Sequence, residues 1–419
     1  MSTVDFRTRL QGDDTPLDPS TFTQNQMPAL VEVNGKEAGR AAERQALAPL
    51  TLDVEGELLT FVVDGERLAV KRIGVDGGGG LLVALDRSAF SDLFQDVVST
   101  FGVQMMGRAA VRRGSVDDFV AWEPALRTFL DGRPPYEPGA ITFRDKSGRP
   151  LNLKHHFTLD DDPEDLGHFL AEAGFLHIRD VFTEAEMKEV SRELEDAMAS
   201  AERDDGASWW ARTESGEWYA ARILGFNQQS PALRALLGSD RFKTLGTFTD
   251  DSYLQRNPNV GDSAEGLTKK IGVVEGISDV SWHKDCSMGG HSRGCCGLTV
   301  GLSVTGAGPE SGELGVVAGS HRANVAPLGI EGIDLPRLPL ATSTGDITIH
   351  CSCTLHMSRP PKSAERRVVY TGFNLAPRAG DRPLQLTAEQ VRNDRASIGN
   401  RAREHQRQGA LGRTASFDL

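Results

Sequence analysis

The sequence is short of everything that would tie it to a membrane or to secretion. No apolar run approaches the roughly 18 residues needed to cross a bilayer. The first ten residues, MSTVDFRTRL, lack the apolar stretch that follows the basic residues of a secretory signal. Cysteine is scarce and odd in number: Cys286, Cys295, Cys296, Cys351 and Cys353 all fall in the second half, too few for a disulfide framework. These absences lead us to expect a cytoplasmic protein with reduced thiols. Positive charge is also in deficit, 46 Lys and Arg against 59 Asp and Glu, and a formal net charge of −13 repels a polyanion, which argues against nucleic acid as the main partner. What remains is the composition of a folded protein, with 39% hydrophobic and 25% charged residues. Its 419 residues suffice for two or three domains at about 100–200 residues each.

Residues 1–40 mix Pro, Gly, Gln and charge without a clear period and read as an N-terminal arm. Short strands follow at 58–63, 67–72 and 81–85, with a turn at Asp64 and Gly65. Phe90, Leu93, Phe94, Val97, Val98 and Phe101 then repeat at helical spacing, so one helix is expected over 90–101. A strand over 108–112 precedes a second helix, which Ser115 and Asp118 can cap as a pair. The order of strands and amphipathic helices here, the segment 83–130 in particular, resembles a sterol-carrier-protein-2-like domain. That resemblance implies a small α+β unit over 41–133 with an apolar tunnel for lipids or acyl-CoA esters. Residues 134–155 read as a linker. Beyond it, Asp162 can cap a helix opened by Pro163 and stopped by Gly174; a strand follows over 175–181, and Thr183 with Glu186 forms a capping box for the next helix. From 253 to 376 the signals are strands and turns, a β-sandwich or barrel with flanking helices. The main domain is expected over 156–378. The tail over 379–419, with a helix from Thr387, reads as a surface helix or a subunit contact in a homo-oligomer.

The chemistry concentrates in Val280-Ser281-Trp282-His283-Lys284-Asp285. On a strand, residues i and i+2 share a face, so the His283 imidazole and the Asp285 carboxylate can converge. A His-x-Asp tripeptide also arises by chance, and a metal site needs a third ligand. Gly345 to His356 supplies two candidates, His350 and His356. Two imidazoles and one carboxylate with open positions opposite suit Fe(II) used for oxygen activation. Zinc accepts the same donors.

The motifs in their order resemble the phytanoyl-CoA dioxygenase family of Fe(II)/2-oxoglutarate oxygenases, over about 220 residues. They are the opening from His168 to Met198, the His283-x-Asp285 pair and the run Gly312-Glu313-Leu314-Gly315-Val316-Val317-Ala318-Gly319-Ser320-His321-Arg322. Gly345-Asp346, His356-Met357-Ser358 and Arg366-Arg367-Val368-Val369 complete the set. The resemblance implies an α+β protein whose C-terminal part is a double-stranded β-helix, a cupin-like jelly roll. His283, Asp285 and His356 would bind Fe(II). Arg366 would pair with the remote carboxylate of 2-oxoglutarate, Arg367 being the alternative on the other strand face, and Ser358 would touch the same co-substrate. Ala318 and Gly301 depart from the family's pattern, in which a proline and a bulky side chain are usual. Halogenating relatives lose the carboxylate that Asp285 retains. The implied activity is therefore hydroxylation or desaturation of an unactivated C–H bond in a small hydrophobic, acyl-CoA-like or secondary-metabolite substrate, with O2 as co-substrate and succinate and CO2 as co-products.

Two competing classes are a lipid-binding protein without catalysis and a zinc-dependent cupin hydrolase or isomerase. Other residues have plainer readings. His350 is expected as a packed strand histidine, His321 and Arg322 as turn residues, and His291 as a loop residue near the mouth of the site. The Cys-Cys and Cys-x-Cys spacings lack the Cys-x-x-Cys bite of a zinc cluster. The Gly77 to Gly80 run lacks the Gly-Lys-Ser/Thr of a phosphate loop. His155-His156 and Trp209-Trp210 have no partners identifiable from sequence.

Overall fold

The structure, a computed structural model, describes residues 15–375 apart from 73–79, 204, 249–252, 277–279 and 289–296. Most of the Gly77 to Gly80 run, His291, Cys295, Cys296 and the tail with its helix from Thr387 therefore lie outside the described residues.

The expected arm is helical from Pro19 onward, which corrects that reading. Asp18 caps α1 (Pro19–Asn25), and α2 (Met27–Arg44) follows directly. The buried face of α2 consists mainly of small residues, Gly35, Ala38, Gly39, Ala41 and Ala42, so it leaves no stripe of large apolar side chains to find. Close approach explains the choice: a Cβ on Gly39 would stand 2.8 Å from the Glu66 carbonyl. The strands β1 (Leu50–Val54), β2 (Glu57–Asp64), β3 (Arg67–Lys71), β4 (Leu81–Leu85) and β5 (Ala109–Arg113) form one sheet in the order β3-β2-β1-β4-β5. Its pairings are antiparallel except that β1 runs parallel to β4.

The apolar stripe at 90–101 is divided between two helices, α3 (Arg87–Phe94) and α4 (Thr100–Met105). Asp96 takes a positive φ of 60° and Ser99 opens the second helix as its cap, so the period continues while the backbone turns. The Ser115–Asp118 capping box is present at α5 (Val116–Ala121), and α6 (Glu123–Asp131) follows with Pro124 in its first turn and Gly132 closing it in the left-handed region. Phe61, Phe90, Phe94, Trp122 and Phe129 fill the core of this unit.

The second unit opens as its caps dictate, with Asp162 before α7 (Pro163–Ala173), Gly174 after it, then β6 (Phe175–Ile178) and the Thr183–Glu186 box at α8 (Glu184–Ser200). The hairpin β7 (Ser208–Thr213) and β8 (Trp218–Ile223) leads into short helices α9 (Phe226–Gln229), α10 (Pro231–Leu237) and α11 (Asp240–Thr244). Then come β9 (Tyr253–Gln255), β10 (Glu265–Lys269), β11 (Val273–Glu275), β12 (Leu298–Ser303), β13 (Leu314–Val317), β14 (Arg337–Leu340), β15 (Ile347–Cys351), β16 (His356–Ser358) and β17 (Arg366–Leu375). The larger sheet runs β11-β7-β8-β10-β17-β12-β15-β6, with β9 on the end of β17, and the smaller one runs β14-β13-β16. All their pairings are antiparallel, so the fold class is α+β with two antiparallel sheets in the second unit. Leu298, Val300, Leu302, Ile347 and Ile349 pack with α8 residues Met187, Val190 and Leu194 in the main core. Among the described residues no helix is long and apolar enough to cross a membrane.

Candidate metal centre

Three donors from two distant segments meet at one point. His283 pairs as an isolated bridge with His356, the first residue of β16, each donating its backbone N–H to the other's carbonyl at 2.9 and 3.0 Å. Asp285 opens a single 3-10 turn over Asp285–Met288. The expectation of one regular strand carrying both residues is thus corrected, and a bridge followed by a turn brings the two side chains together. The Asp285 Oδ1 atom stands 3.3 Å from His283 Nε2 and 3.4 Å from His356 Nε2. The three ligand atoms lie within 4.8 Å of one another. Two donors each about 2.1 Å from one ion and at right angles stand about 3.0 Å apart, so these separations are close to those of adjacent ligands on one metal.

The hydrogen bonds around the donors leave the right atoms bare. His283 Nδ1 donates to the Ser281 carbonyl at 2.7 Å, and His356 Nδ1 donates to the Thr354 carbonyl at 2.9 Å. Each proton is thereby placed on Nδ1 and each Nε2 lone pair is turned to the centre. Thr299 Oγ1 on β12 donates to Asp285 Oδ2 at 2.9 Å, which leaves Oδ1 toward the histidines. Burial and the neighbouring His356 push His283 below the usual imidazole range. Burial alone would raise Asp285, but the surrounding His356, His283 and His350 outweigh it and hold the carboxyl well below its ordinary value. A neutral imidazole and an ionised carboxylate are the forms that bind a divalent metal.

His350, on β15, packs as a buried strand histidine at the wall of this centre. Its ring lies 4.2 Å from that of His356, and its Nε2 stands 3.5 Å from Asp285 Oδ2, at the outer limit of a hydrogen bond. His356 belongs to the smaller sheet, with His283 bridged to it, while His350 and Thr299 belong to the larger one, so the centre sits between the two sheets.

At the far end of the same face, Arg366 and Lys269 are direct partners across β17 and β10, which sets both side chains on one side of the sheet. Both are buried, and they meet at Ser358: Lys269 Nζ donates to Ser358 Oγ at 2.7 Å, and Arg366 Nη1 is 3.5 Å from that oxygen while donating to the Gly312 carbonyl at 2.9 Å. Arg366 Nε has no hydrogen-bond partner among the described residues. Ser358 lies two residues beyond His356, so this cationic corner adjoins the three-ligand centre. Arg367 faces the other way. It donates to Ser191 Oγ at 2.6 Å and pairs with Glu195 on α8, and with Thr268 it lines a separate cavity of about 370 Å³ beside Trp210, Trp218 and Tyr219.

Lys269 and Thr299 were not found by sequence reasoning. Neither belongs to a local motif, and only the sheet register brings them to the site. The remaining candidates take structural positions. His321 accepts a place beneath α7, donating from Nε2 to the Ala171 carbonyl at 2.9 Å, and Arg322 pairs with Glu172. Asp346 accepts from His177 Nε2 and from the backbone N–H groups of Asp180 and Ser343, tying three segments together. His156 stacks edge-on against His177, while Arg222 covers the ring of Trp209. Cys351 and Cys353 are buried in the main core. At Gly301, a Cβ would meet Thr348 Oγ1 at 2.9 Å and the Tyr370 ring at 3.0 Å, so the volume of the expected bulky residue is filled from the neighbouring strands.

Comparison with known proteins gives one family. Residues 170–369, a little under half of the chain, match the model described as phytanoyl-CoA dioxygenase (PhyH). No curated protein matches the chain. Similar solved structures include AviO1 from Streptomyces viridochromogenes Tue57, at 18% identity and a TM-score of 0.41 over 52% of this chain and 97% of that one. EctD from S. alaskensis in its apoform has 16% identity and a TM-score of 0.43 over 58% of this chain and 83% of that one. The epimerase SnoN, solved in complex with Fe3+, alpha ketoglutarate and nogalamycin RO, has 18% identity and a TM-score of 0.41 over 54% of this chain and 91% of that one.

Proposed function

We propose that the chain is an Fe(II)/2-oxoglutarate-dependent dioxygenase of the phytanoyl-CoA dioxygenase family, built as a double-stranded β-helix over 156–378. One observation carries the reading: His283 Nε2, His356 Nε2 and Asp285 Oδ1 converge with both Nδ1 protons held by main-chain carbonyls. Two imidazoles and one carboxylate on one side of an ion leave the opposite positions open, the donor set of non-haem iron oxygenases. When bound, ferrous iron would supply the activation of O2, coupled to decarboxylation of 2-oxoglutarate to succinate and CO2 and to oxidation of an unactivated C–H bond of a small-molecule substrate.

This chain's residues bind and orient. His283, Asp285 and His356 would hold the metal, and Thr299 keeps the Asp285 carboxylate turned toward it. Arg366 offers a planar guanidinium to the remote carboxylate of 2-oxoglutarate, and Ser358 offers a hydroxyl. Lys269 adds a second cation at the same corner. Burial of both cations favours an anion strongly, because a charge removed from water gains more from a partner. Arg367, held by Glu195 and Ser191, takes no part in this binding. On the sterol-carrier-protein-2-like reading of 41–133, the substrate is hydrophobic or acyl-CoA-like.

The test is anaerobic purification, Fe(II) loading and measurement of O2-dependent succinate formation across a substrate panel. The expected result is succinate that requires Fe(II), 2-oxoglutarate and O2 together. A protein that retains zinc and turns over with no response to 2-oxoglutarate would instead be the cupin hydrolase or isomerase.

A further inference from the structure

The N-terminal unit reaches the metal-bearing segment directly. Ser99, the cap of α4, uses its hydroxyl twice: Oγ accepts from the Gly102 N–H at 2.9 Å and donates to the Ser287 carbonyl at 2.9 Å. Ser99 and Ser287 are both buried, and Ser287 belongs to the single turn that Asp285 opens. Around this bond Phe101, Met105 and Val120 of the N-terminal unit pack with Met288 and Leu328. The opposite side of the turn is held by the second unit, where Cys286 N–H donates to the Ser352 carbonyl at 3.0 Å. A second route runs through Asn324, whose Nδ2 donates to the Pro124 carbonyl at 3.0 Å and to Thr128 Oγ1 at 3.1 Å on α6. Three residues on, the Pro327 carbonyl accepts from Lys284 N–H, and Leu328 bridges to His283.

We propose that the N-terminal unit positions the metal centre, with Ser99 as the positioning residue that fixes the turn carrying Asp285. The inference rests on the metal reading above. Ordinary packing between two units would bury apolar surface at any convenient face. Here a buried side-chain hydroxyl is spent on a carbonyl two residues from a ligand, and a second contact enters beside the other ligand of the same segment. A one-turn segment has few internal hydrogen bonds with which to hold its own orientation, so a fixed outside donor sets where the carboxylate points.

The test uses the full chain and Co(II), followed by its visible spectrum as metal is titrated in. Ser99→Gly keeps most of the capping energy, since glycine is tolerated at that position, but removes the hydroxyl that holds Ser287. Replacing a residue that orients a ligand directly costs about 10- to 100-fold in metal affinity. Ser99 acts through the turn, so the expectation is a rise in Kd of about three- to tenfold with an altered Co(II) spectrum and a near wild-type melting temperature. Ser115→Ala serves as control, because it removes the cap of α5 and is expected to lower the melting temperature without changing Kd or spectrum. Asn324→Ala cuts the second route at a half-buried position and is expected to raise Kd by a similar factor if Ser99→Gly does not fold. Wild-type Kd and spectrum in folded Ser99→Gly, or in folded Asn324→Ala where the first does not fold, overturn the positioning role alone. A wild-type chain that binds no Co(II), or an Asp285→Ala chain that binds it equally well, overturns the metal reading and the positioning role with it.

Discussion

At the scale of single residues, the site works by deciding which atoms are left bare. The main-chain carbonyls of Ser281 and Thr354 take the Nδ1 protons, and Thr299 occupies one oxygen of Asp285. Thr299→Val keeps the shape and removes the hydroxyl, and it is expected to weaken Co(II) binding about tenfold in the same titration, within the range for partners of metal ligands. The two neighbouring arginines separate cleanly. Arg366→Ala is expected to raise the Kd for 2-oxoglutarate roughly ten- to a hundredfold, the worth of a hydrogen bond to a charged group, as read by calorimetric titration of the metal-loaded chain. Arg367→Ala is expected to leave that Kd within about twofold and to cost about 0.2–1 kcal/mol of stability, the usual value of a partly exposed ion pair such as that with Glu195. His283, Asp285, His356, Ser358 and the arginine pair could be picked out as candidates because each sits in a short motif that resembles the family's, and the three metal-ligating side chains among them come within 4.8 Å of one another. Lys269 stayed hidden for a physical reason: it is opposite Arg366 only through the β10–β17 register, a contact across nearly a hundred residues.

At the scale of elements, the signals that held were chemical ones at helix ends. The Ser115–Asp118 and Thr183–Glu186 boxes and the Asp162–Gly174 pair stand where the sequence puts them. Periodicity alone misled twice. The 90–101 stripe spans the break between α3 and α4, and α2 hides its contact face in glycine and alanine. The junction of α7 with the turn at Ser320–Arg322 offers a pH test. His321 is buried there, and burial pulls its imidazole down to about 3, with Arg322 and Lys284 acting in the same direction. The unfolded chain takes up this proton near the ordinary value of 6.5 while the folded chain does not, so the contribution is complete above 6.5 and is lost as pH falls toward 3. His321→Gln is therefore expected to flatten the fall of stability with acid by up to about 1.4 kcal/mol per pH unit, the value of one proton. Urea unfolding at pH 7, 6, 5 and 4 checks it, and an unchanged slope would show that His321 titrates normally in the fold.

At the scale of the whole molecule, the candidate site is assembled from segments that lie far apart in the sequence. His283 and Asp285 come from a bridge and turn, His356 from the smaller sheet, and Arg366 and Lys269 from the larger one. The α+β class could be read from the sequence, since each half has its own pattern of strands and capped helices. The contact between the halves could not, because it uses side chains such as Ser99 and Asn324 that look like ordinary caps and loop residues until the two units meet. The most direct measurement of the central claim is an anaerobic titration of Fe(II) and 2-oxoglutarate into the purified chain, followed by visible absorption. The account predicts a charge-transfer band that needs both components and is lost in Asp285→Ala and in His356→Ala, with both variants folded. A band of unchanged strength in either variant, or none in the wild type, would contradict it.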